Sequence, residues 1–160
     1  MAGFHLAQIN VGRFLAPIDS PQIKGFVDNL DRINALAEAQ PGFVWRLVGE
    51  GNNATDLRPF DDPGLAVNLS VWESLEALAA FVYRTGHRDV MRRRREWFEV
   101  MEVYMALWWV PVGHVPTPEE GWARLEHLRL HGPTPEAFTF REPFPRRDEA
   151  AVTPVLDRCA

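Results

Sequence analysis

Cysteine is nearly absent from this chain: of 160 residues only Cys159, beside the C-terminus, carries a thiol. One cysteine can neither close an internal disulfide nor build a thiolate metal site, so nothing marks an oxidising compartment. Long apolar runs are missing too. None approaches the ~20 residues that a membrane span needs, and the opening Met1-Ala2-Gly3-Phe4-His5-Leu6 lacks the basic and apolar regions of a secretory signal. The cytoplasm is the expected location, with no membrane partner. Basic charge is short as well: 17 Lys and Arg face 22 Asp and Glu, for a net charge of -5. A duplex or single strand is held through its phosphates by a basic footprint, so nucleic acid is not an expected partner. There is no glycine-rich phosphate loop, no dinucleotide fingerprint and no Gly-x-Ser-x-Gly elbow, which argues against nucleotide cofactors and serine-nucleophile chemistry.

What the chain does have is hydrophobic mass. At 46% hydrophobic residues it can bury one core without covalent staples. A single domain over residues 1–145 followed by a tail, 146–160, is expected. The six tryptophans suit cores, interfaces or pocket walls.

Alternation and helical periodicity give the element order. Phe4 to Val11 reads as a strand with Leu6, Gln8 and Asn10 on one face and Ala7, Ile9 and Val11 on the other. Ser20-Pro21 reads as a helix start, and an apolar stripe from Ile23 to Ala37 runs to Pro41-Gly42. Phe43 to Val48 is a second strand, 49–63 a long polar hairpin loop, and Leu65 to Trp72 a third strand with Asn68, Ser70 and Trp72 sharing a face. Ser74 caps a helix that breaks near Thr85-Gly86, and a further helical piece is predicted from His87 to Met101. Tyr104 to Val112 is a fourth strand. Thr117-Pro118-Glu119-Glu120 has capping-box spacing and starts a helix that stops at Gly132-Pro133, with a short strand expected over 137–141. The order β-α-β-β-α-β with an extra C-terminal helix predicts an α+β, ferredoxin-like fold with an antiparallel sheet and helices on one face.

Tyr104 to Val110 shows no polar alternation, so both of its faces must be covered. Helices cover one. A second copy of the chain, packing sheet to sheet, is the favoured cover for the other, with the C-terminal helix folding back as the alternative.

One helical face stands out. Arg94 lies on the apolar stripe of Val90, Met91, Trp97, Phe98 and Met101, with His87 seven residues earlier on the same side. A buried guanidinium needs an anion or strong acceptors, either an internal partner or an acidic ligand. His87 could serve as a general base, or simply bond the backbone. Tyr83 and Asn68 are candidates to orient a ligand, and Trp45, Trp72, Trp97 and Trp108 to wall a small apolar pocket, the core being the plainer role for each tryptophan taken singly. His127 and His131 are one turn apart, but no third ligand accompanies them and Glu126 precedes the pair, so no metal site is assigned.

Several separated segments agree in order with a known family: Leu6-Ala7-Gln8-Ile9-Asn10, Pro41-Gly42-Phe43-Val44-Trp45-Arg46-Leu47, Asn68-Leu69-Ser70-Val71-Trp72-Glu73-Ser74, His87 with Arg94 and Trp97-Phe98, Leu107-Trp108-Trp109-Val110-Pro111, and Gly132-Pro133-Thr134. Over about residues 4–145 the chain resembles the bacterial domain family of unknown function DUF3291, itself similar to the dimeric α/β-barrel superfamily. That resemblance implies a ferredoxin-like subunit and a sheet-to-sheet homodimer. It does not fix a reaction, because the superfamily spans cofactor-free monooxygenases, haem-degrading enzymes, isomerases and stress proteins. No catalytic residues carry over.

Three functions are expected candidates. The first is an enzyme without cofactor, a monooxygenase or an isomerase or cyclase, acting on an apolar acidic, phenolic or polyketide-like substrate. The second is haem binding or breakdown, with His87 as axial ligand and Arg94 on a propionate; the span from Trp72-Glu73-Ser74 to His87 is longer than in the haem-degrading branch. The third is a non-catalytic ligand-binding dimer.

Overall fold

The computed structural model describes residues 3–48, 62 and 64–146. Most of the expected hairpin loop and, apart from Arg146, the expected tail lie outside the described residues. Four strands, β1 (Phe4–Arg13), β2 (Phe43–Arg46), β3 (Leu65–Trp72) and β4 (Met105–Pro111), form one antiparallel sheet in the order β2-β3-β1-β4. The helices are α1 (Lys24–Ala39), α2 (Leu75–Arg84), α3 (His87–Arg92) and α4 (Pro118–His131). This is the α+β, ferredoxin-like arrangement with an added C-terminal helix. Among the described residues no helix is long and apolar enough to cross a membrane.

Local chemistry explains where the elements start. Ser74 Oγ accepts the Ala77 N–H at 3.1 Å, and Thr117 Oγ1 accepts that of Glu120 at 3.1 Å, so two expected caps are made. The expected start of α1 is displaced. Ser20 and Pro21 lie in a run of i→i+3 turns, and the helix opens only at Lys24, with no side-chain cap. Fully buried Ile23 pins that turn against Trp97 and Phe98.

The helix expected from His87 to Met101 is also shorter. It ends at Arg92 and gives way to a single 3-10 turn, Arg94–Glu96. Trp97 and Phe98 are both buried, and consecutive residues of an α-helix point about 100° apart. Leaving the helix lets both rings turn inward, and Phe98 then bridges to Phe14.

The two sheet faces differ. Register pairs Gln8 with Ser70 and Asn10 with Asn68, so the polar residues of β1 and β3 meet on one face. The other face carries Ile9, Leu69, Val71, Ala106 and Trp108, all buried, and α4 packs on it through Leu125 and Leu128. Gly121 allows the approach: a Cβ there would sit 2.6 Å from Ile9 Cδ1. The uninterrupted apolar run of β4 is therefore covered on both sides within one chain. Leu107 and Trp109 pack with Phe138 and Phe144, while Trp108 lies under α4 and donates its indole N–H to Glu120 Oε2 at 2.9 Å. The expected short strand over 137–141 reduces to a bridge between Phe138 and Leu107 along the β4 edge.

Candidate functional site

A cavity of about 690 Å³ separates the polar face of the sheet from α1, α2 and α3. Its size falls in the range of small-molecule sites, and its walls are mostly apolar with a few convergent polar groups. Phe26 and Ile33 of α1, Phe81 of α2 and Val90 of α3 supply hydrocarbon, and Phe140 reaches in from the C-terminal segment.

Arg94 faces this cavity from the 3-10 turn. One Nη2 proton goes to the Val11 carbonyl at 2.8 Å. The guanidinium carbon lies 5.0 Å from the Phe98 ring centre and 4.4 Å from that of Tyr104. Both contacts favour the cation. Phe98 can lie there because β1 has no side chain at Gly12, where a Cβ would meet the ring at 2.4 Å. Among the described residues no carboxylate pairs with Arg94, unlike Arg13 with Asp62 or Arg93 with Glu96. Burial lowers its pKa from the ordinary arginine value, partly offset by Tyr104, and arginine remains charged regardless. The structure thus holds a cation at the wall of an apolar cavity, with four of its five N–H donors unspent among the described residues.

His87 opens α3 and also lines the cavity. Thr85 Oγ1 bridges the helix break, donating to the Phe81 carbonyl at 2.6 Å and accepting the His87 N–H at 3.2 Å. The imidazole packs 4.7 Å from the Phe81 ring. Its Nδ1 is buried and has no hydrogen-bond partner among the described residues. Burial lowers the His87 pKa, with a partial offset from the Val82 carbonyl, so the ring is neutral at pH 7.

The floor is a hydrogen-bonded group of neutral side chains. Gln8 Nε2 lies 2.6 Å from Asn68 Oδ1 and 2.8 Å from Ser70 Oγ, and Asn10 Nδ2 lies 3.1 Å from Gln8 Oε1. Trp72 donates its indole N–H to Ser70 Oγ at 2.9 Å. The structure therefore brings Arg94, His87, Asn68, Trp72 and Trp97 to one cavity.

Three expected site residues are elsewhere. Tyr83 is 52% exposed and packs edge-on against Phe140, because two residues on from buried Phe81 it points about 200° round α2. Trp45 pairs with Val71 and joins the core on the α4 side. Trp108 pairs with Ala7 and is buried on that same face. Two wall residues were not anticipated in the sequence. Tyr104 stacks on Arg94, and Arg46 pairs with Ser70 across the strands and bonds Glu38 at 2.9 Å. The rings of His127 and His131 lie tilted with centres 4.6 Å apart, His127 is bonded to Thr134, and among the described residues no three potential metal ligands cluster.

In shape the chain is similar to a conserved protein from Methanosarcina mazei, at 11% identity over 66% of this chain and 91% of that one, with a TM-score of 0.49. It is similar to SnoaB, a cofactor-independent oxygenase from Streptomyces nogalater, at 19% identity over 72% and 98% of the two chains and a TM-score of 0.45. It is also similar to a protein of unknown function from Nitrosomonas europaea, at 14% identity over 72% and 95%, with a TM-score of 0.45. No curated protein matches its sequence. The family model DUF3291, a domain of unknown function, matches residues 5–154, and the chain belongs to that family.

Proposed function

We propose that the cavity binds a small apolar acid, phenolic or polyketide-like, and transforms it without metal or organic cofactor. The observation that carries this reading is Arg94: a cation beside a large apolar cavity, bonded to one strand carbonyl and paired with no carboxylate among the described residues. A ligand carboxylate, phenolate or enolate completes it, and the low-polarity surroundings strengthen that attraction.

His87 supplies the second function. A neutral imidazole lining the cavity can accept a proton from a phenol or from a carbon next to a carbonyl. The negative charge that develops is stabilised by Arg94. From the carbanion, reprotonation at another carbon gives isomerisation, attack on an internal carbonyl gives cyclisation, and reaction with dioxygen gives oxygenation. Trp72 and Trp97 supply flat apolar wall for an aromatic body.

Haem suits these residues poorly. The free ring nitrogen is Nδ1, on the side of the imidazole nearest the backbone and beside the Phe81 ring. That atom is buried, so an iron could reach it only if the surrounding side chains moved.

The test compares 4-methylbenzoate with its neutral analogue 4-methylbenzamide, followed by quenching of tryptophan fluorescence. The wild type is expected to prefer the carboxylate by about tenfold or more, the worth of one charge-assisted contact. Arg94→Met should keep the fold by circular dichroism and lose that preference. Equal binding of both probes to the wild type, or an unchanged preference in the variant, would show that Arg94 holds no ligand anion.

A further inference from the structure

The floor of the cavity has a property that follows from its hydrogen-bond pattern alone. Five contacts join Gln8, Asn10, Asn68, Ser70 and Trp72. The indole N–H can only donate, so Ser70 Oγ always accepts from Trp72. The other four contacts involve amides, whose oxygen and nitrogen exchange places on a flip.

In one polarity Gln8 donates to Asn68 at 2.6 Å and to Ser70 at 2.8 Å, and Asn10 donates to Gln8 at 3.1 Å and to Asn68 at 3.4 Å. Flipping all three amides together reverses every one of these bonds. Ser70 then donates its hydroxyl proton to Gln8, Asn68 donates to Gln8 and Asn10, and Gln8 donates to Asn10. All five contacts still join one donor to one acceptor; the first polarity leaves the Ser70 hydroxyl proton to the cavity, and the reversed one spends it on Gln8.

The difference appears at the cavity surface. Asn10 and Asn68 are direct cross-strand partners, and both line the cavity. The amide atom of each that faces away from the network has no partner among the described residues. In the first polarity Asn68 presents an N–H and Asn10 a carbonyl oxygen. In the reversed polarity Asn68 presents the oxygen and Asn10 the N–H. The pair always offers one donor and one acceptor, and which is which switches when the network reverses.

We propose that this floor is a reversible donor–acceptor pair that receives a conjugated hydroxy-carbonyl group of the ligand, in either tautomer. Such a group, a carbonyl and a hydroxyl joined through a conjugated double bond, exchanges its own donor and acceptor when the proton moves between the oxygens. The network follows by reversing, so each form meets a matching donor and acceptor. This rests on the reading of the cavity as a site for an apolar acid, and it narrows the ligand to acids carrying a hydroxy-carbonyl pair away from the anion.

The experiment uses 4-formyl-3-hydroxybenzoate, which carries the pair, and 4-methylbenzoate, which carries the same charge without it. The wild type is expected to bind the first about tenfold or more tightly, as two satisfied polar contacts allow. Asn68→Asp fixes the first polarity and Asn10→Asp the reversed one, since a carboxylate only accepts. Each then turns two acceptors toward the cavity. Both variants should fold normally by circular dichroism and both should lose the preference for 4-formyl-3-hydroxybenzoate, measured against 4-methylbenzoate to cancel the added charge.

Loss of fold in one Asp variant but not the other would mean that only one polarity exists, and would overturn the proposal. A preference that survives in either variant, or is missing in the wild type, would overturn it too. If 4-methylbenzoate binds through Arg94 in those cases, the broader reading of the cavity stands and only this assignment fails. If neither probe binds, both fail together.

Discussion

His87 ties a single ring to the pH dependence of the whole fold. Burial depresses its pKa below the ordinary 6.5. As pH falls below that value the unfolded chain takes up the proton before the folded chain does. Stability is therefore greatest above about pH 6.5 and declines as pH falls toward the folded-state pKa. His87→Gln should remove this contribution. Urea unfolding between pH 8 and pH 5 is expected to give a stability that falls more steeply for the wild type than for the variant. Parallel curves would mean that the imidazole is as free to protonate in the fold as in water. At this scale the sequence was informative wherever a side chain broke a pattern. Arg94 on an apolar stripe and Asn68 on an alternating strand both reach the cavity. Tyr104 broke no pattern. It reads as the first residue of a strand, and its contact with Arg94 arises only when the 3-10 turn is laid over β1.

Elements were legible in proportion to how asymmetric their faces are. β1 and β3 alternate, so their polar faces could be read in advance, and the register brings those faces together with Gln8 opposite Ser70. β4 is apolar on both sides, so its sequence cannot say which face Trp108 takes. β2 is four residues long, with a register shift between Phe43 and Trp45, and parity fails across such an irregularity. The same asymmetry argument bears on α4. Gly121 is buried where the helix touches Ile9, and a side chain there must move either the helix or the strand. Gly121→Leu should gain about 1 kcal/mol in helix propensity and lose more than that to overpacking, a net destabilisation of about 1–2 kcal/mol. Urea midpoints measured beside the wild type check this. An unchanged or raised midpoint would mean that α4 rests on the sheet more loosely than its buried leucines imply.

For the molecule as a whole, the question is what the apolar face of the sheet does. Its expected role was to pair with a second copy, on the ground that β4 has no polar side. That ground is removed, because α4 of the same chain fills the face and leaves Ile9, Val71 and Trp108 each 1% exposed or less. The exposed large apolar residues among the described ones include Val100 and Val112, in connecting segments, and Leu130 on α4. Association that is stable at low concentration generally needs well over 1,000 Å² of complementary surface. A homodimer would have to find it outside the α4-covered strip, or displace α4 and expose its buried face in exchange. Sedimentation of the wild type at micromolar concentration is therefore expected to give one species near 18.3 kDa. Gly121→Leu, by loosening α4, should shift some of the protein toward twice that mass. A wild-type dimer whose mass is unchanged in the variant would place the interface away from α4. A wild-type dimer that the variant dissociates would make α4 itself the contact between copies.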